Sequence, residues 1–228
     1  MDHQDKAVSR RQILQLTVAV GGLTLLRPHQ FLSAQEGQTR VTPSQTMGPF
    51  YPRARPLDED ADLTLVKGKS GKAQGKVIHV MGRVLDSRGV AVAGAKVELW
   101  QANTFGRYDH PADINPAPLD PNFQGFGAQV TDGEGRYRFK TIKPGAYPVN
   151  PMNPNNQRPP HLHFNVIGHQ GRVVTQMYFP NEALNDRDFI FNGLGQGREA
   201  VIAKVLPPNK EVEADSLIVA WDIVLAKG

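Results

Sequence analysis

From Val77 onward the sequence is cut into short apolar stretches by turns rich in Gly, Asp and Pro, and this punctuation restricts the fold more than any other feature. Stretches of this length suit strands and are too brief for packed helices. Val77–Leu85 is the first, closed by Asp86-Ser87-Arg88-Gly89. Ala95–Gln101 is the second, and strand periodicity sets Val97, Leu99 and Gln101 on one face and Lys96, Glu98 and Trp100 on the other. Gln129–Thr131 and Tyr137–Lys140 flank Asp132-Gly133-Glu134-Gly135 and read as a hairpin. His161–Ile167 and Arg172–Phe179 form a further pair around Gly168–Gly171, and Ser216–Leu225 reads as one closing strand. Only Arg187–Phe191 and Arg198–Leu206 read as short helices. The pattern predicts an all-β fold: an antiparallel β-sandwich with long active-site loops and few short helices.

The 228 residues suffice for one such core. Residues 77–228 form the expected sandwich domain, and residues 35–76, polar and rich in Pro, Gly and charge, read as an extended arm. Residues 1–34 read as an export signal. Ser9-Arg10-Arg11-Gln12-Ile13-Leu14 resembles a twin-arginine motif, the apolar run Ile13–Leu26 is short for a membrane span, and Leu32-Ser33-Ala34 precedes an expected cleavage point. A periplasmic or secreted protein, free of the membrane once the signal is removed, is the expectation. Residues 1–34 hold four basic and two acidic residues, so the remainder has 22 against 20 and a net charge of only +2. With no Lys/Arg cluster carrying interleaved aromatics, nucleic acid is not an expected partner. The absence of cysteine removes disulfides, thiolate metal sites and a cysteine nucleophile.

Two long segments interrupt the strands, 102–126 and 143–160, and loops of this length in a compact domain are commonly functional. The second ends in Arg158-Pro159-Pro160-His161-Leu162-His163-Phe164. Two prolines hold the chain extended, so His161 and His163 enter a strand pointing to the same face, a geometry suited to one metal ion. A third ligand has two sources. Asp109, Asp113 and Asp120 offer carboxylates, as in Fe(II) or zinc sites, while Tyr108 and Tyr147 offer phenols. A phenol, with a pKa near 10, needs a hard trivalent ion to ionise it, so phenolate ligands favour Fe(III). His79, His110 and His169 have no partners at metal spacing and read as structural or exposed.

Six segments together resemble the intradiol ring-cleavage dioxygenases, most nearly their protocatechuate 3,4-dioxygenase β-chain branch. They are Val97–Asn103, Gly106-Arg107-Tyr108, Pro118–Phe123, Thr141–Gly145, Arg158–Phe164 and Thr175–Phe179, within residues 42–225. The resemblance implies one non-haem Fe(III) per chain, held by Tyr108, Tyr147, His161 and His163, and a reaction of a catechol-type substrate with O2 that gives a cis,cis-muconate-type product. It implies that Tyr147 leaves the metal and takes a substrate proton, that Arg158 stabilises anionic substrate, and that Gln176 faces the open positions. The segment Thr46–Pro52 resembles the family's substrate-side arm, which implies that Pro49 and Tyr51 line the pocket. The expected assembly is a homo-oligomer or a hetero-oligomer with an α-like chain. Val149 stands where that branch carries a large aromatic, so the pocket wall, and with it the fit of protocatechuate, is expected to differ. The turns at Gly82–Asp86, Ala93–Ala95 and Thr131–Tyr137 also resemble prealbumin-like and adhesin sandwiches, and fold alone does not separate an enzyme from such binding modules.

Overall fold

The computed structural model describes residues 40–54 and 60–227; the export-signal expectation for residues 1–34 lies outside them. Among the described residues, eleven strands run in the order β1 Val77–Asp86, β2 Lys96–Trp100, β3 Phe126–Val130, β4 Arg136–Ile142, β5 Tyr147–Asn150, β6 Asn153–Arg158, β7 His161–Ile167, β8 Arg172–Tyr178, β9 Lys204–Leu206, β10 Leu217–Ala220 and β11 Ile223–Leu225. One sheet is ordered β11-β1-β10-β9, with β4 also on β1; a second is ordered β3-β2-β7-β8. The main core joins Ile78, Val80 and Val84 of β1 and Phe139 of β4 to Val97 and Leu99 of β2 and Leu162, Phe164 and Val166 of β7. β1, β2 and β7 give this core alternate residues, which is the sandwich expected from the sequence.

The intervening residues of the second sheet point away from this core, and that face carries the chemistry. On β7 they are His161, His163 and Asn165, with Trp100 opposite His163 on β2 and Gln176 opposite it on β8. The N-terminal arm covers part of this face: Gln45 N–H donates to the Val174 carbonyl at 2.8 Å, and Gln176 Nε2 donates to the Thr46 carbonyl at 3.1 Å. Trp100, Tyr108, Phe126 and Tyr147 make a second apolar cluster there, packed by Met47, Phe50 and Tyr51 of the arm.

Four local expectations are corrected. The predicted hairpin around Asp132–Gly135 is a crossover, because β3 pairs with β2 while β4 pairs with β1 in the other sheet. Ser216–Leu225 is two strands, both parallel to β1. The ladder breaks at Trp221, whose carbonyl accepts from the Tyr137 hydroxyl at 2.7 Å, while the Asp222 carboxylate takes the Arg83 N–H at 2.8 Å. Gly82 sits at this break, where a Cβ would meet the Trp221 carbonyl oxygen at 1.7 Å. Residues 143–160 are not a plain loop, since β5 and β6 pair within them. The expected helices are 3₁₀ turns at Asn185–Arg187 and Gly195–Val201 and one turn of helix, α1, at Phe189–Asn192; the second expected helix runs on into β9.

Candidate active site

Pro159 sets more than the strand entry. Nδ1 of His161 donates to the Pro159 carbonyl at 2.7 Å, which leaves the Nε2 lone pair turned inward. That Nε2 lies 3.2 Å from Nε2 of His163, 3.3 Å from the Tyr147 hydroxyl and 3.4 Å from Nη1 of Arg158. Trp100 stacks on the His163 ring with centroids 4.9 Å apart and planes 14° from parallel. Burial, and then the Arg158 charge, push His163 down to about 3 and move His161 in the same direction. Both imidazoles are therefore neutral at physiological pH, with lone pairs available to a metal.

The two tyrosines meet because their segments cross backbone to backbone. Asn103 closes the first turn, its Oδ1 accepting from the Phe105 and Arg107 amides at 2.9 and 3.0 Å. Its carbonyl accepts from Gly145 N at 3.0 Å, which ties the second segment to the first. At the crossing, Gly106 has φ of +78°, and a Cβ there would stand 2.2 Å from the Ala146 carbonyl oxygen. Tyr108 and Tyr147 follow, edge to face with ring centroids 5.5 Å apart. Asp113 fixes the Tyr108 backbone, its Oδ2 accepting from that amide at 2.7 Å. The Tyr108 hydroxyl is buried without a hydrogen bond of regular geometry. Burial first, then Tyr147, push the Tyr108 phenol well above its ordinary value. Burial also raises Tyr147, with Arg158 working against it.

Arg158 is 6% exposed and fully engaged. Its Nε donates to Asp188 Oδ2 at 2.5 Å, and its Nη2 donates to Gln176 Oε1 at 2.8 Å and to the Tyr178 hydroxyl at 3.0 Å. Burial opposes the guanidinium charge, but Tyr147 and Asp188 outweigh it and hold Arg158 above its ordinary value. Asp188 also caps α1, accepting from Phe191 N at 2.7 Å. A cavity of about 550 Å³ opens over this group, lined by Pro49, Phe50, Tyr147, Arg158 and His163 and, further out, Asp113, Ile114, Val149, Phe189 and Ile190.

The structure thus brings Tyr108, Tyr147, His161, His163 and Arg158 together, and puts Pro49 on the cavity wall. It does not bring Tyr51 to the cavity. The Tyr51 hydroxyl donates to Glu98 Oε2 at 2.9 Å and its ring packs edge-on against Trp100, so it is spent behind the site. Gln176 is likewise behind it, joined to Arg158 and Thr46 and fully buried. Asp188, Tyr178 and the stacked pairs Trp100–His163 and Phe50–Tyr108 were not anticipated. Asp188 had one local signal, an acidic residue opening a short helix.

Among the described residues no three His, Cys, Asp or Glu side chains cluster at metal spacing, so a carboxylate-completed site has no support. Two neutral imidazoles and two buried phenols do suit a metal. The phenols stay protonated unless a hard, highly charged cation ionises them, and the poorly satisfied Tyr108 hydroxyl is the group such a cation would partner. The donor set fits Fe(III).

Residues 46–227 match the family model described as Dioxygenase. The protocatechuate 3,4-dioxygenase beta chain of Burkholderia cepacia is 49% identical over 173 residues, 75% of this chain and 72% of that one. The hydroxyquinol 1,2-dioxygenase of Rhizobium sp. (strain MTP-10005) is 34% identical over 161 residues, 65% of this chain, and the match spans 51% of that enzyme's length. Among solved structures, the dioxygenase domain of a dioxygenase–carbohydrate-binding fusion from Streptomyces sp. SirexAA-E superposes with a TM-score of 0.62 at 25% identity, covering 83% of this chain and 100% of that one. Hydroxyquinol 1,2-dioxygenase from Pseudomonas putida DLL-E4 shares the fold at 23% identity, with a TM-score of 0.64 over 85% of this chain and 69% of that one. With this fold and these matches, the chain belongs to the intradiol ring-cleavage dioxygenases, a family that implies non-haem Fe(III), a catechol-type substrate and O2.

Proposed function

We propose that this chain cleaves a catechol-type ring between its two hydroxyls, using Fe(III) held by Tyr108, Tyr147, His161 and His163. The observation that carries the reading is the convergence of the Tyr147 hydroxyl and His163 Nε2 within 3.3 Å of the His161 Nε2 atom, beneath one cavity and beside Tyr108. When bound, the ferric ion would supply the charge that keeps the phenols and the catechol oxygens ionised and opens the ring to O2. The protein's residues do the rest. Tyr147 lies at the cavity surface and is the phenolate that accepts a catechol proton. Arg158, locked by Asp188, presents a fixed positive charge to the anionic ring and cannot lose its proton. His161 and His163 stay neutral throughout, and Phe50, Pro49 and Trp100 limit water around them. Both oxygen atoms enter a cis,cis-muconate-type product, and no external reductant is consumed.

Purified full-length chain is expected to hold about one iron, with a broad visible phenolate-to-iron band that shifts on adding a catechol, and to take up one O2 per ring opened. A protein that stays colourless after ferric loading refutes the reading. Export by residues 1–34 is proposed on the Ser9–Leu14 motif, and replacing Arg10-Arg11 by Lys-Lys should retain the protein in the cytoplasm. The beta-chain name of the Burkholderia relative supports association with a second, α-like chain, which co-purification from the native host would test.

A further inference from the structure

The cavity is larger than one dihydroxybenzene ring requires. Its volume of about 550 Å³ is in the range of roughly 300–1,000 Å³ that accommodates drug-sized ligands. Tyr147, His163 and Arg158 are buried at its base, whereas Ile114, Val149 and Phe189 on its outer wall are 74%, 45% and 63% exposed. Scattered exposed apolar side chains are ordinary, but three on one cavity mouth form a surface that gains by being covered.

The charges in the cavity point the same way. Arg158 and Asp113 are the charged side chains among its described lining residues. Arg158 is tied to Asp188 at 2.5 and 3.3 Å and buried beside His161, so its charge serves the ring oxygens at the base and not a substituent at the mouth. Asp113 is held in place by the Tyr108 and Asn115 amides at 2.7 and 2.8 Å and leaves a carboxylate on the wall. A ring bearing its own carboxylate would meet apolar side chains and a like charge. An alkyl or aryl substituent would cover the mouth.

Resting on the intradiol reading above, we propose that the preferred substrate is a catechol carrying an apolar ring substituent, seated against Ile114, Val149 and Phe189, and not a ring acid. Each methylene transferred from water to an apolar wall strengthens binding by about fourfold when fully covered, so about twofold to fourfold is expected at a half-open mouth.

The test uses the iron-loaded full-length chain with catechol, 4-methyl-, 4-ethyl- and 4-propylcatechol and protocatechuate. Dissociation constants are measured anaerobically by calorimetry, and kcat/KM by oxygen uptake. Affinity and kcat/KM should both rise by about twofold to fourfold per carbon, with protocatechuate about tenfold or more below 4-ethylcatechol. Val149→Lys, which sets an ammonium on the wall, should keep the ferric band and narrow the 4-ethylcatechol-to-protocatechuate gap by about tenfold. A ferric band and catechol turnover with a flat or falling alkyl series, or with protocatechuate ahead, overturns this proposal and leaves the intradiol reading standing. A gap unmoved by Val149→Lys also overturns it. No ferric band and no turnover of any catechol overturns both.

Discussion

The Tyr108 hydroxyl is buried without a regular hydrogen bond, an arrangement that costs stability unless something else binds the oxygen. Tyr108→Phe in the metal-free protein should therefore leave unfolding free energy unchanged or raise it by up to about 1 kcal/mol, as measured by denaturant titration. The same variant should lose most of the ferric band. Asp188 behaves in the opposite way, because Arg158, deep beside it, has no other carboxylate among its hydrogen bonds. Asp188→Ala should destabilise the protein by about 3–5 kcal/mol and depress turnover, with Asp188→Asn intermediate in both. These two residues were unequally legible. The His161–His163 pair sits in a strand period of two, whereas the residues alone left Tyr108 and Tyr147 beside Asp109, Asp113 and Asp120, and the family resemblance singled the tyrosines out. The Arg158–Asp188 pair joins positions 30 residues apart, and nothing near either residue announces the other.

Elements fix what the residues can do. Tyr108 and Tyr147 belong to separate segments, and the crossing at Gly106 sets their distance. Gly106→Ala strains a backbone at φ +78° and pushes a methyl into the Ala146 carbonyl. It should weaken iron binding by tenfold or more while far-ultraviolet circular dichroism is unchanged, since neither main sheet includes this crossing. A second element-level link joins β4 to β1 through Glu213, which contacts Lys140 at 2.5 Å and His79 at 2.6 Å. Those partners, Lys140 first, hold its carboxyl down to about 2 from 4.5. A lowered folded pKa adds stability above the ordinary value and loses it as pH falls, so the loss falls between about pH 4.5 and 2. Thermal midpoints of Glu213→Gln should fall less steeply across that window, by a modest amount because Glu213 is half in solvent. Strand positions were readable from alternation, but pairing was not. The turn at Asp132–Gly135 looks the same whether its arms share a sheet or part to two, and long-range register decides between them. The division of 216–225 depends on Gly82, more than a hundred residues earlier.

At the scale of the described domain, the sandwich carries the site on an outer face of its second sheet. Filling that site should stabilise the entire fold, because a ligand that binds only the folded chain shifts unfolding by mass action. Chelating the ferric ion should lower the thermal midpoint by roughly 10 °C, read by scanning calorimetry with and without chelator. The sandwich class was visible in the sequence because its apolar stretches are short and closed by Gly/Asp turns, with alternation clear in β2 and β7. The arm's packing was not, since Thr42 and Gln45 reach across to Val224 and Val174 by backbone hydrogen bonds that carry no side-chain signature. The parallel seating of β10 and β11 on β1 has one more consequence. Residues 78–86 acquire those neighbours only from residues 217–225, so a nascent chain emerging from the ribosome holds an open sheet edge until nearly all of the domain has been translated. A translation product that stops before residue 217 would expose the edge of β1 that β10 and β11 cover in the folded chain.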